Sequence, residues 1–248
     1  MFELNKLYNM DCMEGMKQIP DKYFELAIVD PPYGGGSQSV NVEREDCKAA
    51  AQTLSGEDVH ALEGCLTATI SAARTGGKWA ARYQIGGDFG GDKDIRHWDI
   101  APNEEYFNEL SRVSKNQIIW GGNYFNLPPT RCFLVWRKLT ISENFSMAMC
   151  EYAWTSFNDN AKLFEYPPQG GKEQRFHPTQ KPVELYKWVI GRFAKEGDKI
   201  LDTHAGSGSC LIAAYETGHE WLGFELDKYY YEKATERIEA RTAQMMFW

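Results

Sequence analysis

Asp30-Pro31-Pro32-Tyr33 follows directly on the apolar run Leu26-Ala27-Ile28-Val29, which sets a carboxylate, a stiff turn and an aromatic ring at the end of a buried strand. The two prolines fix φ and remove two backbone N–H groups, so the turn is rigid and its carbonyls are free to face a ligand. Asp30 can accept one hydrogen of a planar NH2 group, the carbonyl of Pro31 the other, and Tyr33 offers a ring on which a base can stack. Held in that way, the nitrogen lone pair is drawn out of conjugation and becomes nucleophilic, which is catalysis by positioning and electrostatics. A strand end closed by a proline turn is the plain structural alternative.

A second group of residues lies far downstream. Lys199-Ile200-Leu201-Asp202 reads as a short strand, Thr203-His204-Ala205-Gly206-Ser207-Gly208-Ser209 as a glycine loop, and Leu211, Ile212, Ala214 and Tyr215 as the apolar side of a helix. Such a loop brings backbone close to a ligand and aims helix N-terminal N–H groups at it. A dinucleotide fingerprint would place a third glycine at position 211, where Leu211 stands, while Trp221-Leu222-Gly223-Phe224-Glu225 ends a further strand on an acid suited to a ribose diol. A tight structural turn explains glycines equally well when they stand alone.

Taken together these residues resemble the amino-group DNA methyltransferases that use S-adenosylmethionine. Asp30, Pro31, Pro32 and Tyr33 look like the catalytic motif of that family, and Asp202, Thr203, His204, Ala205, Gly206, Ser207 and Gly208 like its cofactor loop. Glu225 with Leu226 resembles the ribose-binding acid and its neighbour, and His177-Pro178-Thr179-Gln180-Lys181-Pro182 the segment leading into the helix before the loop. Asn9-Met10-Asp11-Cys12 falls where the family has an acid contacting the cofactor adenine. The resemblance therefore implies a cofactor site of Asp11, Cys12, Asp30, His177, Thr179, Lys181, Asp202 to Gly208, Glu225 and Leu226. With the catalytic motif first and the loop last, the order resembles the permuted, beta-type arrangement. Thr203-His204 departs from the usual Pro-Phe. Asp as the first residue of the catalytic motif implies the N6 amino group of adenine, where Ser is more typical of enzymes acting on the N4 of cytosine.

The elements that must position these residues alternate along the chain. Strands are expected at Leu4 to Tyr8, Leu26 to Val29, Gln117 to Trp120, Cys132 to Trp136, Tyr152 to Ser156, Ile200 to Leu201 and Trp221 to Phe224. Asn103 can cap a helix with Phe107, Leu110 and Val113 or Ser114 on one face, and Pro182 suits the first turn of another with Leu185, Val189 and Phe193 inward. Tyr231, Ala234 and Ile238 stripe the last helix. The pattern predicts a doubly wound, mostly parallel, seven-stranded α/β sheet of the Rossmann-like methyltransferase type, with ligands at the carboxyl ends of the strands.

Residues 34–97 interrupt the alternation. Gly34-Gly35-Gly36 is followed by a capping box at Ser55-Gly56-Glu57-Asp58 and a helical stripe through Val59, Leu62, Leu66, Ile70 and Ala73. A catalytic domain of 1–33 and 98–248 is expected, with 34–97 as an inserted helical element that either contacts DNA or forms a lid or dimer surface. Lys78, Trp79, Arg82 and Tyr83, with Arg137, Lys172 and Arg175, are the candidates for DNA contact.

Composition sets the remaining bounds. A chain of 248 residues can bury a sizeable core, and no apolar stretch reaches the roughly 20 residues needed to span a bilayer. Six cysteines with no Cys-x-x-Cys spacing read as reduced thiols, and the five histidines show no metal-ligand spacing. The net charge of −8 requires that the acidic excess lie away from any phosphate-binding face. The expected setting is the cytoplasm of a bacterium or of a phage-infected bacterial cell, with double-stranded DNA as partner, no metal, a monomer or homodimer, and a cognate restriction enzyme as a further partner. RNA or protein amino-group methyltransferases share the chemistry; a nicotinamide-dependent oxidoreductase accounts for the loop and Glu225 but not for Asp30 to Tyr33. A non-catalytic DNA-binding module has little use for both motifs.

Overall fold

A computed structural model describes residues 2–34, 100–143, 148–168 and 175–245, and residues 2–33 and 101–245 form one compact unit. The expected insertion, apart from Gly34, lies outside the described residues, as do Lys78, Trp79, Arg82, Tyr83 and Lys172.

Among the described residues eight strands form one sheet: β1 (Lys6–Asn9), β2 (Phe24–Val29), β3 (Ser114–Trp120), β4 (Phe133–Arg137), β5 (Cys150–Thr155), β6 (Lys162–Glu165), β7 (Ile200–Asp202) and β8 (Trp221–Glu225), in the order β1-β8-β7-β2-β3-β5-β4-β6. Of these only β5 runs against the others, pairing antiparallel with β3 and β4. The sheet is thus doubly wound and mostly parallel as expected, but with eight strands rather than seven. The added strand is β6, which pairs with β4 from Leu134↔Lys162 to Arg137↔Glu165. Its sequence, Lys-Leu-Phe-Glu, is short and polar at both ends, and Leu163 is exposed, so it lacks the continuous buried run that marks the inner strands.

Continuous apolar runs in the central strands follow from burial on both faces. In β2, Leu26 and Ile28 enter one core with Ile118, Trp120, Leu185, Val189, Ile212 and Ala234. Ala27 and Val29 enter the other, with Met16, Tyr106, Leu110, Val113 and Phe224. Helices α1 (Cys12–Met16) and α2 (Glu104–Val113) cover the second face; α3 (Val183–Phe193), α4 (Ser209–Glu216) and α5 (Lys228–Met245) cover the first.

The helix starts follow capping chemistry. Asn103 accepts from the N–H of Tyr106 at 3.2 Å, and Pro182 sits at the start of α3. In α2 the inward residue is Tyr106 rather than Phe107, which is only partly buried; Leu110 and Val113 lie inward as expected. Leu185 and Val189 are fully buried in α3, whereas Phe193 is half-buried at its end.

Candidate active site

Four acids fall at the carboxyl edge of the parallel strands: Asp11 after β1, Asp30 after β2, Asp202 ending β7 and Glu225 ending β8. The strands β2 and β7 are neighbours, registered Leu26↔Ile200 and Ala27↔Leu201. The chain leaves β2 toward β3 on one side and β7 toward β8 on the other, so the winding reverses between them. Open α/β sheets bind ligands at such a crevice. Stretches separated by more than half of the chain therefore stand side by side here.

Asp30 is gripped at both oxygens. The Tyr33 hydroxyl donates to Oδ1 at 2.7 Å, and the Lys181 ammonium pairs with Oδ2. Each carboxylate oxygen has two lone pairs, so capacity remains for a further donor. The Tyr33 ring is stacked on Tyr124, with centroids 4.6 Å apart and planes 21° apart, and meets Phe125 edge-on. Burial and the neighbouring Asp30 and Glu151 charges push the Tyr33 phenol far up, so it remains a donor. The stacking face that the sequence assigns to a base is thus taken up, in this arrangement, by the exposed ring of Tyr124.

The glycine loop is stitched to β8. The N–H of Ala205 donates to the Phe224 carbonyl at 2.9 Å, and that of Gly206 to Glu225 Oε2 at 2.8 Å. Gly206 and Gly208 have φ of +51° and +73°, the left-handed region that glycine adopts without strain. A Cβ on Gly206 would stand 3.2 Å from the His177 ring, which packs edge-on against Tyr230. Burial, with Lys181 and Arg175 nearby, pulls the His177 imidazole down to about 3, so it is a neutral packing group. From α5, Arg237 donates to the Ser207 carbonyl and to Ser209 Oγ, each at 2.8 Å.

Thr203 and His204, the departures from Pro-Phe, join Tyr106 in a buried polar cluster. The Tyr106 hydroxyl lies 2.6 Å from Thr203 Oγ1, which lies 3.0 Å from His204 Nδ1; His204 Nε2 faces the Cys12 sulfur at 3.9 Å. Burial lowers His204 to about 4 and raises Cys12 to about 12, so both are neutral. Asp11 Oδ1 caps α1, accepting from the N–H groups of Met13 at 2.7 Å and Glu14 at 3.4 Å.

Carboxyl groups crowd this edge. Burial raises Asp202 to about 8, against the His204 N–H that it accepts, with Asp30 and Glu225 raising it further. Burial likewise raises Glu225 to about 7, against the N–H groups of Asp227 and Gly206. A cationic ligand would relieve both carboxyl groups. Among the described residues no group of histidines, cysteines and acids is arranged to hold a metal ion.

The other expected contacts scatter. Thr179 donates to His177 Nδ1 through its N–H at 3.3 Å, and Leu226 is exposed, its carbonyl accepting from Asn9 at 3.0 Å. Arg137 pairs with Glu165 at 2.8 Å on the outer strands, and Arg175 donates to the Pro178 carbonyl at 3.0 Å. Lys181, which the resemblance assigns to the cofactor, pairs with Asp30, its long stem reaching inward from the turn before α3. Sequence reasoning missed Glu151, Tyr106, Tyr124 and Arg237. Tyr106 carries a signal, a tyrosine at a helix position facing the core, because a buried hydroxyl needs a partner.

Comparison with known proteins agrees with this geometry. M1.HpyAVI, solved as a complex with SAM, superposes at a TM-score of 0.50 and 16% identity over 94% of this chain and 98% of its own. The PvuII DNA methyltransferase, cytosine-N4-specific, superposes at 0.54 and 11% identity over 96% and 90%. These similarities define the class, a Rossmann-like methyltransferase fold. Residues 151–236 match the N6/N4 methyltransferase family model described as DNA methylase. The chain is 42% identical over 64 residues to the type II methyltransferase M2.DpnII of Streptococcus pneumoniae, and 36% identical over 81 residues to M.HpaI of Haemophilus parainfluenzae. Those stretches cover 26% and 33% of this chain and 24% and 26% of the relatives, so about a quarter of each relative's length is matched. Over these stretches the chain is similar to amino-group DNA methyltransferases.

Proposed function

We propose that the protein is a site-specific DNA methyltransferase that transfers a methyl group from S-adenosylmethionine to the N6 amino group of adenine in duplex DNA. The observation that carries this reading is the adjacency of β2 and β7, which sets Asp30 beside the glycine loop that begins at Asp202. The cofactor fits the electrostatics of that crevice, because it brings positive charge to Asp202 and Glu225, both of which burial holds protonated to unusually high pH.

Bound S-adenosylmethionine supplies an electrophilic methyl group on a sulfonium. The loop backbone from Asp202 to Gly208 and the Glu225 carboxyl group would hold it, and Asp30 would receive the amine. An amino group paired inside a duplex faces its partner base, so the adenine has to be extruded to reach Asp30. Asp30 need not strip a proton before attack. It accepts a hydrogen bond that strengthens as positive charge grows on nitrogen, which stabilises the transition state more than the ground state. In such a transfer the amine nitrogen would take the methyl group while sulfur kept the pair of the broken S–C bond, and Asp30 or water would receive the extra proton of the nitrogen.

Asp at position 30 favours adenine over the N4 of cytosine by resemblance to the family's motif. The setting that accords with type II relatives is a bacterial cytoplasm, with a cognate restriction enzyme as a further partner, and Arg137 and Arg175 are the described candidates for phosphate contact. Modified-base sequencing of DNA from cells expressing the protein tests the reading. N6-methyladenine in one short sequence context is expected; N4-methylcytosine there would overturn the base assignment, and unmodified DNA the DNA substrate.

A further inference from the structure

Lys181 stands in a row of buried charges that ends at the crevice. Its side chain is 4% exposed, and its ammonium lies between Asp30 Oδ2 and Glu151 Oε2, the latter 3.1 Å away. Glu151 binds a second lysine on its other oxygen, Lys138 at 2.6 Å, whose side chain is 6% exposed. Charge alternates from Lys138 through Glu151 and Lys181 to Asp30, and the Tyr33 hydroxyl closes the row. The rings of Trp136 and Trp120 flank the two ammonium groups at 5.3 Å and 5.7 Å.

The topology explains how the row is assembled. Because β5 alone among the described strands runs against the sheet, its first residues lie at the carboxyl edge of its neighbours, where Glu151 stands opposite Trp136. Lys181 arrives from the turn before α3, and Asp30 from the end of β2. Three separate elements thus meet at one ammonium group, that of Lys181.

Burying such charges costs several kcal/mol per ion before their attraction is counted, and apolar replacements of similar volume are often no less stable. A row of this kind is a poor stabilising device and a good geometric one. Burial disfavours the Lys181 ammonium, yet Asp30 and Glu151 more than offset it, so the group is a fixed cation and not a base. Likewise Glu151, despite its burial, is held low by Lys181 and Lys138. With Lys181 on one oxygen and Tyr33 on the other, the Asp30 carboxylate has its plane fixed while keeping lone pairs for the amine.

We propose that Lys181, anchored by Glu151 and Lys138, is the positioning residue of the transfer: it sets the Asp30 carboxylate in the orientation that receives the substrate amine. The proposal rests on the methyltransferase reading. It gives Lys181 and Glu151 a role in turnover and none in holding the cofactor.

The test uses the whole chain, duplex DNA and methyl-labelled S-adenosylmethionine, with cofactor affinity measured separately by calorimetry. Lys181→Gln combined with Glu151→Gln removes one charge of each sign and so keeps the net charge of the row; because Lys138 and Asp30 lose their ion partners, a melting curve first establishes that the variant is folded. This double variant should bind the cofactor within about threefold of wild type and lose on the order of 100-fold in kcat, the scale expected when a reacting group is misplaced by about 1 Å. Glu151→Gln alone, which leaves Lys181 on Asp30, should lose less. A double variant with wild-type kcat would overturn the proposal, and so would a loss confined to KM for the cofactor, which would return Lys181 to the cofactor site. Wild-type protein that methylates no DNA would instead overturn the methyltransferase reading itself.

Discussion

Gly121→Ala tests the packing behind the proline turn of Asp30 to Tyr33. Gly121 follows β3 with φ of +67°, and a methyl group there would overlap Tyr33 Cε1 and Cζ and stand 2.8 Å from its hydroxyl oxygen. Holding alanine in the left-handed region costs roughly 1–2 kcal/mol. Pushing aside a ring that is stacked on Tyr124 and bonded to Asp30 adds the usual cost of overpacking, about 1–3 kcal/mol. The sum, about 2–5 kcal/mol, corresponds to a fall in Tm of roughly 5–15 °C for a chain of this size. Thermal unfolding followed by tryptophan fluorescence reads it directly. Because Tyr33 holds Asp30, the rate of methyl transfer should fall as well. Gly191→Ala serves as the control: it lies within α3 with nothing within 4 Å of the point where a Cβ would stand, and replacing a helical glycine should gain about 0.5–1 kcal/mol. Equal and unchanged stability in both variants would refute the packing argument.

Two further outcomes are expected. Asp202 is raised from 3.8 to about 8, so its contribution to stability is present below the unfolded value and is lost as pH rises through the folded one. Wild type should therefore lose stability relative to Asp202→Asn between about pH 4 and pH 8, a trend that parallel melting curves would show; a trend of opposite sign would contradict the buried-carboxyl account. Arg137→Ala should lower the slope of log DNA affinity against log salt by about 1 if its guanidinium leaves Glu165 for a phosphate, and an unchanged slope removes it from the DNA face.

Much of the architecture was legible because two-faced burial writes a period into the chain. Leu26 to Val29 and Trp221 to Phe224 are apolar throughout since every residue meets a core, and Asn103 marks a helix start by the hydrogen bond that it makes. The edge strand β6 was not legible, because it is four residues long, Lys162 and Glu165 are polar, Leu163 is exposed, and Phe164 alone packs against the core. Within the candidate site, the strand ends at Asp30 and Asp202 were legible because the residues that mark them are local. It failed where partners are remote: Lys181 and Asp30 are 151 positions apart, and nothing in the turn before α3 says that its lysine will reach the end of β2. Glu151 was hidden for the same reason, being one polar residue in a strand whose reversal only the assembled sheet reveals. Tyr124 lies beyond the proline turn in sequence and meets Tyr33 only through the tight turn at Gly121.

The central claim is that the Asp30 carboxylate, set beside the glycine loop, carries methyl transfer to a nucleobase amine. Its most direct test is to incubate purified wild type and Asp30→Ala with duplex DNA and methyl-labelled S-adenosylmethionine, digest the DNA to nucleosides and separate them. Label is predicted in N6-methyldeoxyadenosine from wild type and in no nucleoside from the variant, with equal cofactor binding by both in calorimetry. Label at wild-type levels in the Asp30→Ala sample would contradict it.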